Sequence, residues 1–301
     1  MIFRKTLATS AVMLVSLFGL SACVTNEETS TPAGWQQVIP PADPKVQELV
    51  PAEIRARGVL TTATNPPFAP FEFKDSAGNI IGVEMDLARA VAAVMGLELK
   101  ISQQDFALIL PSIDGGTIDF GASGFTDNEE RRANYDFVNT LYAGLQWAQL
   151  SDAPPVDPNN ACGLSIAVQR TTVSETTDLR PKSAECVAKG LKPIEILSYD
   201  SSDSAATAVI VGRAAAFSAD SPVTAWAVER AAGKLKTAGP MFTAAPYGFA
   251  APKGSQLSIA LAAAMQSLID SGDYARILQY WNITDGLIEH ALINEKPLGE
   301  L

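Results

Sequence analysis

The sequence predicts an α/β protein folded as two lobes, and three observations lead to it. From Gly58 to Asp136 short β-rich runs alternate with stretches of helical period. A polar, proline-bearing stretch, Ser151 to Asn160 (SDAPPVDPNN), then interrupts the chain, and from Leu164 the alternation starts again. About 255 residues remain beyond an N-terminal spacer, enough for one large domain or two lobes of ordinary size. Strands that alternate with helices argue for mainly parallel sheets.

Each element has a local reason. Val59 to Thr64 (VLTTAT) is β-rich and ends at Asn65-Pro66-Pro67, and Asp75 to Asn79 is a turn cluster between two short strands. Met85 to Met95 places Leu87, Val91, Val94 and Met95 on one helical face. Leu97 to Ile101 alternates as a strand, Phe106 to Ile113 opens a helix, and Ile118 to Ala122 is the next strand. In the second half the strands are Leu164–Val168, Ile194–Leu197 and Ala214–Ser218, the last leading to Asp220. Helices are expected from about Val173, over Ser204–Val211 and over Thr224–Ala232. Tyr247 to Ala251 is a strand, followed by helices at about Leu257–Ser271 and Tyr274–Trp281.

The ends and the composition bound the function. Arg4 and Lys5 precede an apolar stretch, Leu7 to Ala22, that is short for a membrane span. It ends in Leu20-Ser21-Ala22-Cys23, which resembles the lipobox of bacterial lipoproteins and implies a signal peptide over 1–22 and a lipid on Cys23. Residues 23–45 are polar, with prolines and no period, as suits an extended or disordered tether; Trp35 within it either docks or is exposed. The net charge is −11, and losing Arg4 and Lys5 makes the mature chain more acidic still. That balance excludes nucleic acid and a basic membrane-binding patch. Cys162 and Cys186 are an isolated pair, most simply a disulfide in an oxidising compartment, where closing the loop contributes about 3 kcal/mol. With one histidine, His290, and no second cysteine pair, neither a metal nor another cofactor is expected.

The run Gly124-Phe125-Thr126-Asp127-Asn128-Glu129-Glu130-Arg131 concentrates donors suited to a small carboxylate. A guanidinium grips a carboxylate with two charge-assisted bonds, and a hydroxyl and turn N–H groups complete the site. Alone, the run also reads as an ordinary strand-loop-helix corner capped by Thr126 or Asp127.

An ordered series of segments places it. Gly58-Val59-Leu60 precedes Phe68-Ala69-Pro70-Phe71-Glu72-Phe73 and Gly82 to Ala88; Phe106 with Leu110-Pro111, Gly116 with Ile118-Asp119, and Gly124 to Arg131 with Asp136-Phe137 follow. Ala167-Val168-Gln169, Thr172, Gly212-Arg213-Ala214, Asp220, Tyr247 to Ala250 and Pro252-Lys253-Gly254 complete it. From about Glu53 to Ile283 the chain resembles the extracytoplasmic amino-acid-binding proteins of bacterial ABC importers, solute-binding protein family 3. The resemblance implies a two-lobed periplasmic-binding-protein fold of type II. Lobe 1 would be 46–142 with 247–301 and lobe 2 would be 143–246, joined by two crossover strands near Leu141–Gln146 and Thr243–Tyr247. Ligand would be held between the lobes and buried by hinge closure.

The family's site carries over residue by residue. Arg131 is expected to pair with the ligand α-carboxylate, helped by Thr126 and by the backbone near Thr172 and Val173. Asp220 is expected to take the α-ammonium with the Gly124 carbonyl, and Phe68 and Phe106 to form apolar walls. Arg131 is preferred to Arg132 on its step from Thr126. Two positions depart from the family: Thr171 stands where glycine is usual, and Asn65 stands where members that bind lysine, arginine or histidine often carry aspartate. The second departure tilts the reading away from cationic ligands.

The expected protein is therefore a non-enzymatic, monomeric lipoprotein on the outer face of a membrane, held there by lipid alone. It would capture a free, polar L-amino acid and pass it to an ABC permease with its ATPase subunits. The competing readings are an enzyme resembling cyclohexadienyl dehydratase, with Glu72 or Asp105 as the acid or base, and a sensory ligand-binding protein.

Overall fold

A computed structural model describes residues 31–300. The segment expected to be a signal peptide, Cys23 and the first part of the expected tether lie outside the described residues. The chain enters through α1 (Pro44–Leu49), capped by the Asp43 carboxylate on the Lys45 N–H, and α2 (Ala52–Arg57), which ends on Gly58 in the left-handed region. Then come β1 (Val59–Thr64), the small hairpin β2 (Phe73–Lys74) and β3 (Ile80–Ile81), α3 (Val83–Val94), β4 (Glu98–Gln103), α4 (Phe106–Asp114), β5 (Phe120–Gly121) and α5 (Glu129–Arg132). A 16-residue strand, β6 (Tyr135–Leu150), leads into the second half. There β7 (Ser165–Gln169), a π-helical turn (Ser174–Leu179) running into α6 (Arg180–Ala188), β8 (Glu195–Tyr199), α7 (Ser202–Ile210), β9 (Ala216–Asp220) and α8 (Ser221–Arg230) follow. The 18-residue β10 (Leu235–Pro252) returns, and α9 (Gln256–Ser271) and α10 (Asp273–Tyr280) precede a hairpin of β11 (Leu292–Ile293) and β12 (Lys296–Pro297).

The strand order is β4-β1-β5-β10-β6-β9-β7-β8. Two parallel trios, β4-β1-β5 and β9-β7-β8, flank the antiparallel pair β10-β6. Each trio with its helices forms one lobe, and β6 and β10 run through both, as a two-lobed type II fold requires. Their ladder holds from Leu235↔Leu150 to Pro252↔Tyr135, with register shifts between Ala238 and Phe242, Phe242 and Ala245, and Tyr247 and Gly248. Irregular pairing of this kind lets a strand pair bend locally. The strand reading from sequence caught only Tyr247–Ala251 of β10, because its first half is exposed and too mixed in composition to show an alternating face.

α9 packs against α1, α3 and α10, so the C-terminal helices return to the first lobe. The large core joins α3, α9 and α10 to both sides of the sheet, while Trp147, Ile166, Val168, Leu179 and Ala216 form a separate cluster in lobe 2. The disulfide Cys162–Cys186, with Cα atoms 5.6 Å apart, closes that cluster by fastening the chain before β7 to α6. Trp35 docks. Its indole donates to Asp86 Oδ2 at 2.7 Å, beside Trp281, whose indole donates to the same oxygen at 2.8 Å. Val38 is buried and the Asp43 N–H bonds the Val94 carbonyl, so residues 35–43 are extended but seated on lobe 1. The part of the tether reading that allowed free disorder is corrected there: two apolar side chains and a buried carboxylate hold the segment down.

Candidate functional site

Strand ends aim the site. β1 leads into Asn65, β5 leads toward Ser123-Gly124, β7 ends at Gln169 and β9 ends at Asp220, so four strands converge on one crevice. All nine residues expected to touch ligand line a single small cavity: Asn65, Phe68, Phe106, Gly124, Thr126, Arg131, Thr172, Val173 and Asp220. The first six come from lobe 1 and the last three from lobe 2.

Arg131 and Arg132 part company by one helical step. Arg132 turns outward to Asp127 Oδ1, 2.5 Å away, and to Glu295. Arg131 turns into the cavity, where one guanidinium N–H donates to the Thr126 carbonyl at 2.9 Å. Its guanidinium lies 5.7 Å from the Phe106 ring centroid and 5.6 Å from that of Phe125, and those two rings stack. Burial lowers the Arg131 pKa, and the facing Asp220 opposes that shift. Asp220 is 7 % exposed, and desolvation pushes its pKa to about 6 against the pull of Tyr247 and Arg131. A buried cation and a buried anion thus share one small space, each incompletely offset by the protein.

Gly124 has φ +54, and a Cβ there would meet the Phe68 ring at 2.4 Å. Only glycine lets the loop present its backbone beside that wall. Thr172 and Val173 open the helical run that begins at Ser174, where N–H groups have no carbonyl a turn behind them. Thr171 takes the left-handed backbone that glycine usually supplies, at φ 60, with its N–H on Glu175 Oε2 at 2.6 Å.

Two lining residues had no assigned role from sequence, Ser123 and Gln169. Gln169 Nε2 donates to Asn65 Oδ1 at 2.8 Å and Ser202 Oγ donates to Gln169 Oε1, which ties the lobes across the cavity. The signal available was position: Gln169 ends β7 and Ser123 immediately precedes Gly124. Asp105 lies outside the cavity, with its side chain 53 % exposed and 3.6 Å from Arg170 of the other lobe. Glu72 is fully buried behind Ser123 and does not line the cavity.

Known proteins match along the same length. The model of the bacterial extracellular solute-binding proteins, family 3, matches residues 60–284. Arginine-binding protein ArgT of Corynebacterium glutamicum is 58 % identical, covering 98 % of this chain and 97 % of its own. An ancestral arginine-binding protein solved with arginine superposes with a TM-score of 0.69 at 28 % identity, over 75 % of this chain and 98 % of its own. The ancestral amino acid-binding protein AncCDT-1, a precursor of cyclohexadienyl dehydratase, gives a TM-score of 0.68 at 28 % identity, over 76 % and 97 %. In sequence, strand order and the convergence of its loops on one crevice, this chain belongs to family 3 of the bacterial extracellular solute-binding proteins.

Proposed function

We propose that this protein captures L-arginine between its lobes and delivers it to a membrane permease driven by ATPase subunits. The observation that carries the reading is the placement of Arg131 and Asp220 in one cavity. Arg131 takes the α-carboxylate together with Thr126 and the backbone near Thr172 and Val173. Asp220 takes the α-ammonium together with the Gly124 carbonyl. The ligand's own charges then offset the burial that leaves each group unsettled.

The side chain is assigned from two sources. Two of the relatives named above, ArgT and the ancestral protein solved with arginine, are arginine-binding proteins. The walls suit that ligand: Phe68 and Phe106 offer rings against which a planar guanidinium stacks. This revises the weight given to Asn65. Its amide is already engaged with Gln169 and the Gln104 carbonyl, so it acts in joining the lobes, and its lack of charge does not argue against a cationic ligand.

The protein acts by binding rather than by chemistry. Neither carboxyl considered as an acid or base, Glu72 or Asp105, reaches the cavity, and hinge closure about β6 and β10 is the working motion. A lipid on Cys23 holds it at the outer face of the membrane. Calorimetric titration with the common amino acids tests the reading: arginine is expected to bind tightest, and Arg131→Ala to weaken it by about 100-fold or more, the loss of two charge-assisted bonds. Unchanged arginine affinity in a folded Arg131→Ala protein would remove the carboxylate site.

A further inference from the structure

Two buried carboxyls play no part in the clamp. Glu72 is fully buried and Glu84, in the first turn of α3, is 3 % exposed. Each is hydrogen-bonded through one oxygen. Ser123 Oγ donates to Glu72 Oε1 at 2.7 Å and accepts the Asn65 N–H at 3.0 Å. The Gly124 N–H donates to Glu84 Oε2 at 2.5 Å. Their remaining oxygens, Glu72 Oε2 and Glu84 Oε1, are buried and meet no donor in hydrogen-bonding geometry. The two carboxyls face each other, with the Thr64 hydroxyl beside Glu72. Tyr247 of β10 also faces them, and beyond it stand Asp220 of β9 and Arg131 of α5. Among the described residues no lysine or arginine forms an ion pair with either glutamate.

Two like charges cannot both persist at close range in so dry a place, and a proton held between them removes the conflict. We propose that Glu72 and Glu84 are a proton-sharing carboxyl pair that positions Ser123 and Gly124, and that ligand affinity depends on the pair keeping its proton. The positioning half rests on the amino-acid site described above. With the proton in place the pair draws α3 and the Phe68–Phe73 turn together beneath the loop. Without it the carboxylates repel, Gly124 is displaced against Phe68, and the carbonyl offered to the ammonium moves. Burial raises both groups, Glu84 to about 8, so the proton stays at neutral pH and is lost as the solution becomes alkaline.

Infrared spectroscopy of the ligand-free protein near pH 7.5 tests the pair without reference to any ligand, at a pH where most Asp220 is already ionised. The carbonyl stretch of a buried, protonated carboxylic acid is expected. It should shift in Glu72→Gln and in Glu84→Gln, because each loses its partner, and be absent from the double variant. A wild-type spectrum without the band, single variants with an unshifted band, or a band that survives in the double variant overturns the shared proton. Arginine titrations test the positioning. Glu84→Gln keeps an acceptor for Gly124 and carries no charge, so it should match the wild type near pH 7. At about pH 9 it should bind about tenfold tighter than the wild type; the ligand's own ammonium titration is common to both and cancels in the ratio. Glu84→Leu, which has no acceptor, should weaken arginine about tenfold or more near pH 7. A ratio that does not change with pH, or wild-type affinity in a folded Glu84→Leu protein, overturns the positioning role.

Discussion

Asp220 stands where β9 gives way to α8, and its carboxyl is nearly out of water. An acid whose pKa is raised to about 6 is half neutral at that pH, and a neutral acid attracts an ammonium poorly. Arginine affinity is therefore expected to fall about tenfold for each pH unit below about 6, where the ligand's carboxylate and guanidinium keep their charge. Asp220→Asn should flatten that limb, and it should weaken arginine far more than δ-guanidinovaleric acid, which has no ammonium. Equal losses for the two ligands would detach Asp220 from the ammonium. Thr171 offers a second check at this scale. A β-branched residue at φ 60 carries a cost of about 1–2 kcal/mol that glycine escapes, and glycine's freer unfolded chain returns part of it. Thr171→Gly should thus raise the unfolding free energy by up to about 1 kcal/mol in a denaturant titration. No gain, or a loss, would mean that the Thr171 hydroxyl, which bonds the Arg170 carbonyl, offsets the strain.

Among the elements, the disulfide-linked corner of lobe 2 makes the plainest prediction. Cys162 and Cys186 are 24 positions apart, and the link restrains the unfolded chain by about 3 kcal/mol. The double substitution to serine should lower the denaturation midpoint accordingly and leave arginine affinity nearly unchanged. Cys162 precedes the start of β7, the cavity takes the other end of that strand at Gln169, and neither cysteine lines it. The same comparison of elements shows what a sequence can carry. Helices α3, α9 and α10 were legible through the spacing of their apolar residues, and strands β1, β7 and β9 as short β-rich or apolar runs, β7 and β9 being buried almost throughout. β5 shrank to Phe120–Gly121 and the helix expected from Val173 began as a π-helical turn, since neither hydrogen-bond register leaves a mark on polarity. The roles of Gly124, Arg131 and Asp220 were legible through the ordered series of segments that resembles the family, since the Gly124–Arg131 run alone reads as an ordinary strand-loop-helix corner. Ser123 and Gln169 were not, because a serine and a glutamine after a strand are common in any loop. Their role appears only when Glu72 and Asn65, distant in sequence, arrive beside them.

At the scale of the molecule, the lobes meet through few links. Asn65 bonds Gln169, Asp105 faces Arg170, and Phe73 of β2 lies 5.5 Å from Trp226 of α8 by ring centroids. Phe73 also meets Trp281 edge-on at 5.8 Å. The Phe73–Trp226 contact crosses between the lobes, so hinge motion on binding arginine should change the tryptophan emission of the wild type. Trp226→Phe should lose most of that change while still binding; an undiminished signal would locate the reporting indole elsewhere. The seat of Trp35 on Asp86 has a consequence for reach. If Cys23 carries lipid, only the chain between it and Trp35 is left as leash, at most about 40 Å when fully drawn out. The protein would then stay within a shallow layer above the membrane. Lobe 1, which seats Trp35, would be the half nearer the lipid, and lobe 2 the half left free to swing.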